Sequence, residues 1–285
     1  MKYIETFKSQ WLEINELKNH QNFKKYSLKE LRELPAPNGI YEFEFKNNRF
    51  LMLNVDRDDA IPLKYFWRDG YELMTLKLWN YLSMNNGICL DVGSHTGIFS
   101  IIGNLNKSNN NIISFEPFHL NFARLLTNLK LNNIIPNCFM YAVSDHDGVV
   151  KMNFNTSNGY HTSGGKVSDN GSINIRSVKI DSINVNQNIT NIKIDTEGHE
   201  FQVLKGAENT INNHKPNIIF EINEGSFDRC VYFLNQFDYK YFFIDEENNK
   251  FVQVSKYMDS LGREEGSNCF ATNKYSFEML NLLII

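Results

Sequence analysis

The chain reads as an α/β protein: a Rossmann-like sheet of seven strands, the last pair giving one antiparallel strand, behind an N-terminal extension of helices and a β-hairpin. Two observations predict this. Short apolar runs at 88–92, 112–115, 138–143, 191–196, 217–222 and 239–244 alternate with stretches of helical apolar spacing, the pattern of parallel strands joined by helical crossovers. A last run, 268–272, follows 239–244 across a polar stretch with no helical pattern, so the connection is β-β and reverses one strand. The 285 residues suffice for one full α/β domain with decoration, which divides the chain into an appendage, 1–69, and the sheet domain, 70–285.

Residues 1–34 show helical spacing, and Ser27 with Glu30 three positions on forms a capping box for a short helix. Pro35-Ala36-Pro37-Asn38-Gly39 ends it, and 40–45 with 49–55 make a hairpin across Lys46-Asn47-Asn48. An amphipathic helix at 71–82 turns Leu73, Leu76, Leu78 and Trp79 inward. The helix at 120–131 does the same with Leu120, Ala123, Leu125, Leu126 and Leu129. Residues 155–174, polar and rich in Gly, Ser and Asn, read as one long surface loop, and 149–154 before them as a strand. Helices follow at 201–211 and at 227–237; a plain reading of the acids before the first makes Thr196 or Asp195 its cap with Glu197 in the first turn, which accounts for only one or two of the charges there.

Composition narrows the function. A formal charge of -4 leaves no basic footprint for nucleic acid. No apolar run approaches the roughly 18 residues of a membrane span, and the charged N-terminus is unlike a secretory signal, so the expected location is the cytoplasm. Cys89, Cys138, Cys230 and Cys269 are scattered without Cys-x-x-Cys pairing and read as reduced thiols.

Chemistry gathers where strands end. Ile88–Val92 runs into Gly93-Ser94-His95-Thr96-Gly97 and then a helix opened by Ile98 and Phe99, a strand, glycine turn and helix start that cradle a cofactor. The Gly-x-x-x-Gly spacing is neither the dinucleotide fingerprint nor a P-loop, so phosphate need not be gripped. Asp91 just before the turn suits a cationic ligand, and S-adenosyl-L-methionine carries a sulfonium and an ammonium. Glu116-Pro117 ends the next strand, where a carboxylate accepts hydrogen bonds from two ribose hydroxyls. Glu72 either reaches the ligand's ammonium or merely suits the positive end of a helix. Ser144 and Asp145 either meet an adenine edge or form an ordinary turn. Asp195 falls at the same edge of the sheet as Gly93 and Asp145. Tyr160 and His161 in the long loop, and Glu224 after the fifth strand, are candidates for substrate contact, with a solvated loop as the alternative for the first two.

Together these motifs resemble the FkbM family of methyltransferases. The likeness spans roughly 70–273 and rests on Tyr71-Glu72, Asp91-Val92-Gly93 with Gly97, Phe115-Glu116-Pro117, Asn121, Asn128, Ala142-Val143-Ser144-Asp145, Asp181, and most of all Ile192 to Ala207, IKIDTEGHEFQVLKGA. Where the family has alanine-asparagine this chain has Ser94-His95, which leaves both glycines in place. The resemblance implies a class I methyltransferase sheet and O-methyl transfer from S-adenosyl-L-methionine to a hydroxyl of a sugar, nucleotide sugar or surface glycan such as capsule, or of a related metabolite.

Such a transfer needs a base for the hydroxyl proton, and Asp195, Glu197 and His199 are the candidates, the two acids ahead of the histidine because it lies further into the helix. In a second arrangement Asp195 with Glu221 or Glu224 holds a divalent metal such as Mg²⁺, which lowers the hydroxyl's pKa. An RNA or base methyltransferase would call for a basic groove and an Asn/Asp-Pro-Pro-aromatic motif, where this chain has Asp195-Thr196-Glu197-Gly198. A cofactor-binding module without catalysis is the other alternative.

Overall fold

The computed structural model describes residues 16–17, 23–36, 38–55, 57–105, 111–154, 165–168, 170–222, 226–254 and 267–282. The chain divides between Tyr71 and Glu72 into two compact units. In the first, α1 (Leu28–Glu33) carries the expected capping box, Ser27 and Glu30 exchanging hydrogen bonds. The hairpin β1 (Gly39–Phe45) and β2 (Asn48–Asn54) turns through Lys46 and Asn47, both at positive φ as a two-residue hairpin turn requires. A helix not foreseen from the sequence, α2 (Ala60–Arg68), begins where the Asp59 carboxylate caps the Ile61 amide. It brings Leu63, Phe66 and Trp67 against Phe23, Leu31 and Tyr41, a small aromatic core of this unit's own.

The second unit holds the main sheet. Its elements are α3 (Leu73–Ser83), β3 (Ile88–Val92), α4 (Ile98–Asn104), β4 (Ile112–Phe115), α5 (His119–Leu131) and β5 (Cys138–Phe139), followed after an insertion by β10 (Ile189–Ile194), α6 (Glu200–Lys205), α7 (Glu208–His214), β11 (Asn217–Glu221), α8 (Phe227–Leu234), β12 (Lys240–Asp245), β13 (Lys250–Val254), β14 (Asn268–Thr272) and α9 (Phe277–Leu282). The insertion comprises β6 (Ala142–Val143), β7 (Gly148–Phe154), β8 (Gly165–Val167) and β9 (Ile173–Val178), a separate sheet in the order β6-β9-β7-β8.

The main sheet corrects the expected seven strands with one reversed. Among the described residues it has eight, in the order β13-β12-β14-β11-β10-β3-β4-β5. β14 slips antiparallel between β11 and β12, and β13 folds back antiparallel on β12, so both β13 and β14 run against the rest. The extra edge strand, KFVQV, sits in a polar stretch, and only Phe251 and Val254 are fully buried, too few for period-two patterning to register. The run 138–143 also divides, β5 joining the main sheet and β6 the small one. Part of the expected 155–174 loop is strand, since β8 and the start of β9 pair with β7.

Helix faces shift by a residue or two. Leu73 and Leu120 are exposed, whereas Met74, Leu76, Leu78, Trp79 and Leu82 of α3, and Leu125 and Leu129 of α5, are buried. The helix expected at 201–211 breaks at Gly206, where a β-carbon would stand 2.0 Å from the Ser144 carbonyl oxygen. After the break, the Asp181 carboxylate accepts the Asn209 and Thr210 amides and starts α7. The four cysteines are free thiols. Among the described residues no helix is long and apolar enough to cross a membrane.

α3 has no side-chain cap of its own. Glu246, in the turn between β12 and β13, supplies the anion instead, accepting the Met74 and Thr75 amides at 2.8 Å each and the Thr75 hydroxyl at 2.7 Å. Charge-assisted bonds to orphan helix amides are worth about 1–3 kcal/mol in total once screening is allowed for. Glu246→Ala should therefore lower the free energy of unfolding by that much, read as a lower urea midpoint with little change in slope.

Candidate functional site

Parallel strands β4, β3, β10 and β11 end on the same edge of the sheet, and the polar residues cluster there. At the centre the chain leaves β3 through Gly93 (φ 78°), His95 (φ 51°) and Gly97 (φ 101°). Gly93 has no substitute: a β-carbon would lie 1.8 Å from the Asp195 carbonyl oxygen, so the turn after β3 and the end of β10 touch backbone to backbone. Ser94 is structural, its hydroxyl donating to the Asp91 carbonyl at 2.6 Å and accepting the Phe115 amide at 3.1 Å. Asn128 donates to the Thr96 carbonyl at 2.8 Å and fixes the far side of the turn, while a β-carbon on Gly97 would meet the Leu125 side chain at 2.6 Å.

Asp91 is wholly buried. One carboxylate oxygen accepts the Ser100 hydroxyl at 2.6 Å, and the other has no hydrogen-bond partner among the described residues. Burial pushes its carboxyl up, against the pull of the Lys193 charge and the Ser100 bond. Glu116 is aimed by the backbone: its two oxygens accept the His95 amide at 2.8 Å and the Phe118 amide at 2.9 Å. Burial likewise raises its carboxyl, with the His95 charge and these amides opposing. Pro117, directly after it, fixes the backbone leaving β4. Glu72 sits at φ 42° before α3, with the helix's free amides already taken by Glu246. Its carboxylate accepts from Asn268 at 2.9 Å and lies within electrostatic reach of Lys193.

The segment 195–200 follows β10. Neither Thr196 nor Asp195 caps α6, as the sequence had suggested: the cap position is His199, without a side-chain bond. Glu200 does the organising, one buried oxygen accepting the Thr196 and Gly198 amides at 3.2 and 2.9 Å and the other the Ser226 hydroxyl at 2.8 Å. Held this way, the turn places Glu197 at φ 55°, a strained position for a side-chain-bearing residue.

Asp195 is a quarter exposed and accepts Lys193 Nζ at 2.5 Å. Glu197 makes no hydrogen bond to any described residue. Burial raises its carboxyl, Asp195 adds to the rise, and the more distant Lys166 and His95 oppose it. His199 Nε2 lies 2.9 Å from the Ser144 hydroxyl, and burial lowers its pKa, leaving a neutral ring. Asp145 is committed elsewhere: hydrogen bonds from His146 and Lys205, each at 3.0 Å, hold its carboxyl down at about 2.

The structure thus brings Glu72, Asp91, Gly93, Glu116, Asp195, Glu197 and His199 to one edge, and turns the Asp145 side chain toward Lys205. Glu221 faces Asn268 in the sheet register. Among the described residues no three or more His, Cys, Asp or Glu side chains are grouped to hold a metal. Tyr160, His161 and Glu224 lie outside the described residues. Sequence reasoning missed Lys193, Glu200, Asn268 and Glu246. Lys193 alone carried a signal, a lone charge between Ile192 and Ile194 in an otherwise apolar strand.

The methyltransferase FkbM domain matches residues 91–241, more than half of the chain, and the chain belongs to that family. Membership implies S-adenosyl-L-methionine as the methyl donor. The chain is 31% identical over 142 residues to the hexuronic acid methyltransferase AglP of Haloferax volcanii, a match covering 47% of this chain and 55% of that protein. The chain thus spans about half the length of the curated relative it matches. Among solved structures, the methyltransferase FkbM of Methylobacillus flagellatus KT is 17% identical, covering 73% of this chain and 52% of its own, with a TM-score of 0.45. An O-methyltransferase of Thermotoga maritima is 8% identical, covering 70% and 66%, with a TM-score of 0.39.

The histidines bordering the site make a pH test. His199 is lowered by burial, and His146 is raised by its bond to Asp145. In an NMR titration His199 should stay neutral to a pH below the ordinary 6.5 and His146 hold its proton above it. Since the unfolded chain then binds the proton that buried His199 refuses, His199 contributes to a loss of stability as pH falls through that ordinary value.

Proposed function

We propose that this chain is an S-adenosyl-L-methionine-dependent O-methyltransferase whose acceptor is a hydroxyl of a sugar or a related metabolite. The observation that carries the cofactor assignment is Asp91. A fully buried carboxylate with an unpartnered oxygen is costly, and it stands beside a glycine turn with no room for a side chain. A cationic N–H donor relieves that cost. Glu116, already oriented by two amides, keeps acceptor capacity for a pair of ribose hydroxyls. Glu72 flanks the ammonium end, and the backbone around Ser144 borders the adenine end.

Bound there, the cofactor supplies an electrophilic methyl group on a sulfonium. The chain must align the acceptor oxygen and take its proton. Of the candidate bases, Asp195 is tied to Lys193 and His199 to Ser144, whereas Glu197 makes no hydrogen bond to a described residue and its proton affinity is raised by burial. Glu197 is therefore assigned as base, with the second oxygen of Asp195 orienting the hydroxyl. The likeness to a hexuronic acid methyltransferase supports a carbohydrate acceptor. The concentration of acids at this edge favours a neutral hydroxyl over a carboxylate as the methylated group.

Glu197→Gln should lower kcat by about 10²–10⁴-fold, the usual contribution of a general base, while leaving cofactor affinity within about twofold. Asp91→Asn should weaken cofactor binding by about tenfold or more, the worth of a charge-assisted bond, as read by calorimetry. Incubation with S-adenosyl-L-methionine and a panel of neutral and uronic nucleotide sugars should yield S-adenosylhomocysteine and an alkali-stable methyl ether. An alkali-labile ester would move the acceptor to a carboxylate, and no turnover with any sugar would overturn the carbohydrate assignment.

A further inference from the structure

We propose that Lys193 is a positioning residue, the internal cation that lets the cofactor-facing carboxylates Asp91 and Glu72 and the acceptor-facing Asp195 stay ionised together. This rests on the reading of the site as an S-adenosyl-L-methionine pocket. Lys193 lies mid-strand in β10 and is 1% exposed, an expensive place for an ammonium unless anions surround it. They do, from three separate elements. Lys193 is in register with Asp91 on the neighbouring parallel strand, so the two side chains stand on the same face of the sheet. It donates to Asp195 at 2.5 Å from two residues along its own chain, and Glu72 acts on it from the turn before α3.

Among the described residues, the flanking α4 and β11 bring no competing charge. From α4 come the Phe99 ring, whose centroid lies 4.3 Å from Nζ, and the Ser100 hydroxyl that binds Asp91. On the other flank β11 presents Ile219. Two further titratable groups among the described residues act on this set: Glu197, whose carboxyl burial and Asp195 raise, and the Cys138 thiol, which burial and the Asp91 charge push up to about 11 and keep neutral. Three carboxylates crowded into a desolvated site cannot all be anionic without a cation, because each charge raises the proton affinity of the next. With Lys193 in place, a cationic ligand meets carboxylates that are already ionised. Without it, that ligand must first displace a proton.

The test is the pH dependence of cofactor binding, compared between wild type and Lys193→Met, a substitution that keeps the length of the side chain and removes its charge. Calorimetry with S-adenosyl-L-methionine at about pH 6 and about pH 8, in buffers of different ionisation enthalpy, should give a wild-type Kd that changes by less than about threefold, with little proton release. Lys193→Met should bind about tenfold or more weakly at the lower pH than at the higher, as proton linkage requires, and release a proton on binding. Lys193→Arg should return the flat profile. A second readout needs no ligand: the infrared spectrum of cofactor-free Lys193→Met at the lower pH should gain the carbonyl stretch of a protonated carboxyl group, absent from wild type. A variant whose affinity drops equally at both pH values, with no carboxyl band, would show that Lys193 only fills space and would overturn the proposal. If Lys193→Met fails to fold, Lys193→Met/Asp195→Asn replaces the ion pair by neutral groups. Asp91 and Glu72 then still lack a cation, so the profile should remain steep, and a flat one overturns the proposal. Failure of wild-type protein to bind S-adenosyl-L-methionine at either pH would instead overturn the cofactor assignment, with the infrared comparison still deciding the role of Lys193.

Discussion

The carbonyl oxygen of Asp195 occupies the space that a β-carbon on residue 93 would need. That single exclusion brings the turn after β3 against the end of β10. Asp91, on the strand leading into the turn, and Asp195, on the strand beside it, are thereby held in one small volume. A wider spacing would admit water between the strands and weaken the mutual influence of their charges. The close approach is what makes the acids at this edge a single electrostatic unit.

Two kinds of residue make up that unit. Glu200, Ser94, Asn128 and Asp181 spend their hydrogen bonds on backbone groups and hold turns in shape. Among the described residues Asp91 and Glu197 have capacity left over, one as a buried oxygen without a partner and the other as a carboxylate without a hydrogen bond. In a folded protein, unspent polar capacity in a desolvated place is where a ligand is expected. Lys193 stands between the two kinds, buried in the strand and bonded to Asp195 at the edge.

The central strands were legible because both of their faces are buried, which leaves continuous apolar runs that end abruptly at polar residues. Asn268–Thr272 was read to the residue for that reason. β13 was not, because an edge strand buries few side chains and writes little of itself into the sequence. The acids at strand ends were readable as a group, but their division of labour was not. Thr196 and Asp195 were reasonable caps for a helix start, and the job of holding the turn fell to Glu200, whose side chain curls back on it. Nor does sequence spacing report that Glu246 takes over the helix amides near Glu72, because the two are brought together only by the order of β12, β13 and β14.

That last arrangement bears on where the working unit of this family begins and ends. The matched interval runs from Asp91 to Tyr241. Glu72 precedes it, and Glu246 and Asn268, which anchor the helix start and the carboxylate of Glu72, come after it. A fragment cut at the limits of the shared motif would retain the glycine turn and lose Glu72 together with the groups that hold it and its helix. Boundaries drawn by likeness to relatives and boundaries drawn by mechanical support are different lines on this chain, and only the second takes in Glu72 with its supports.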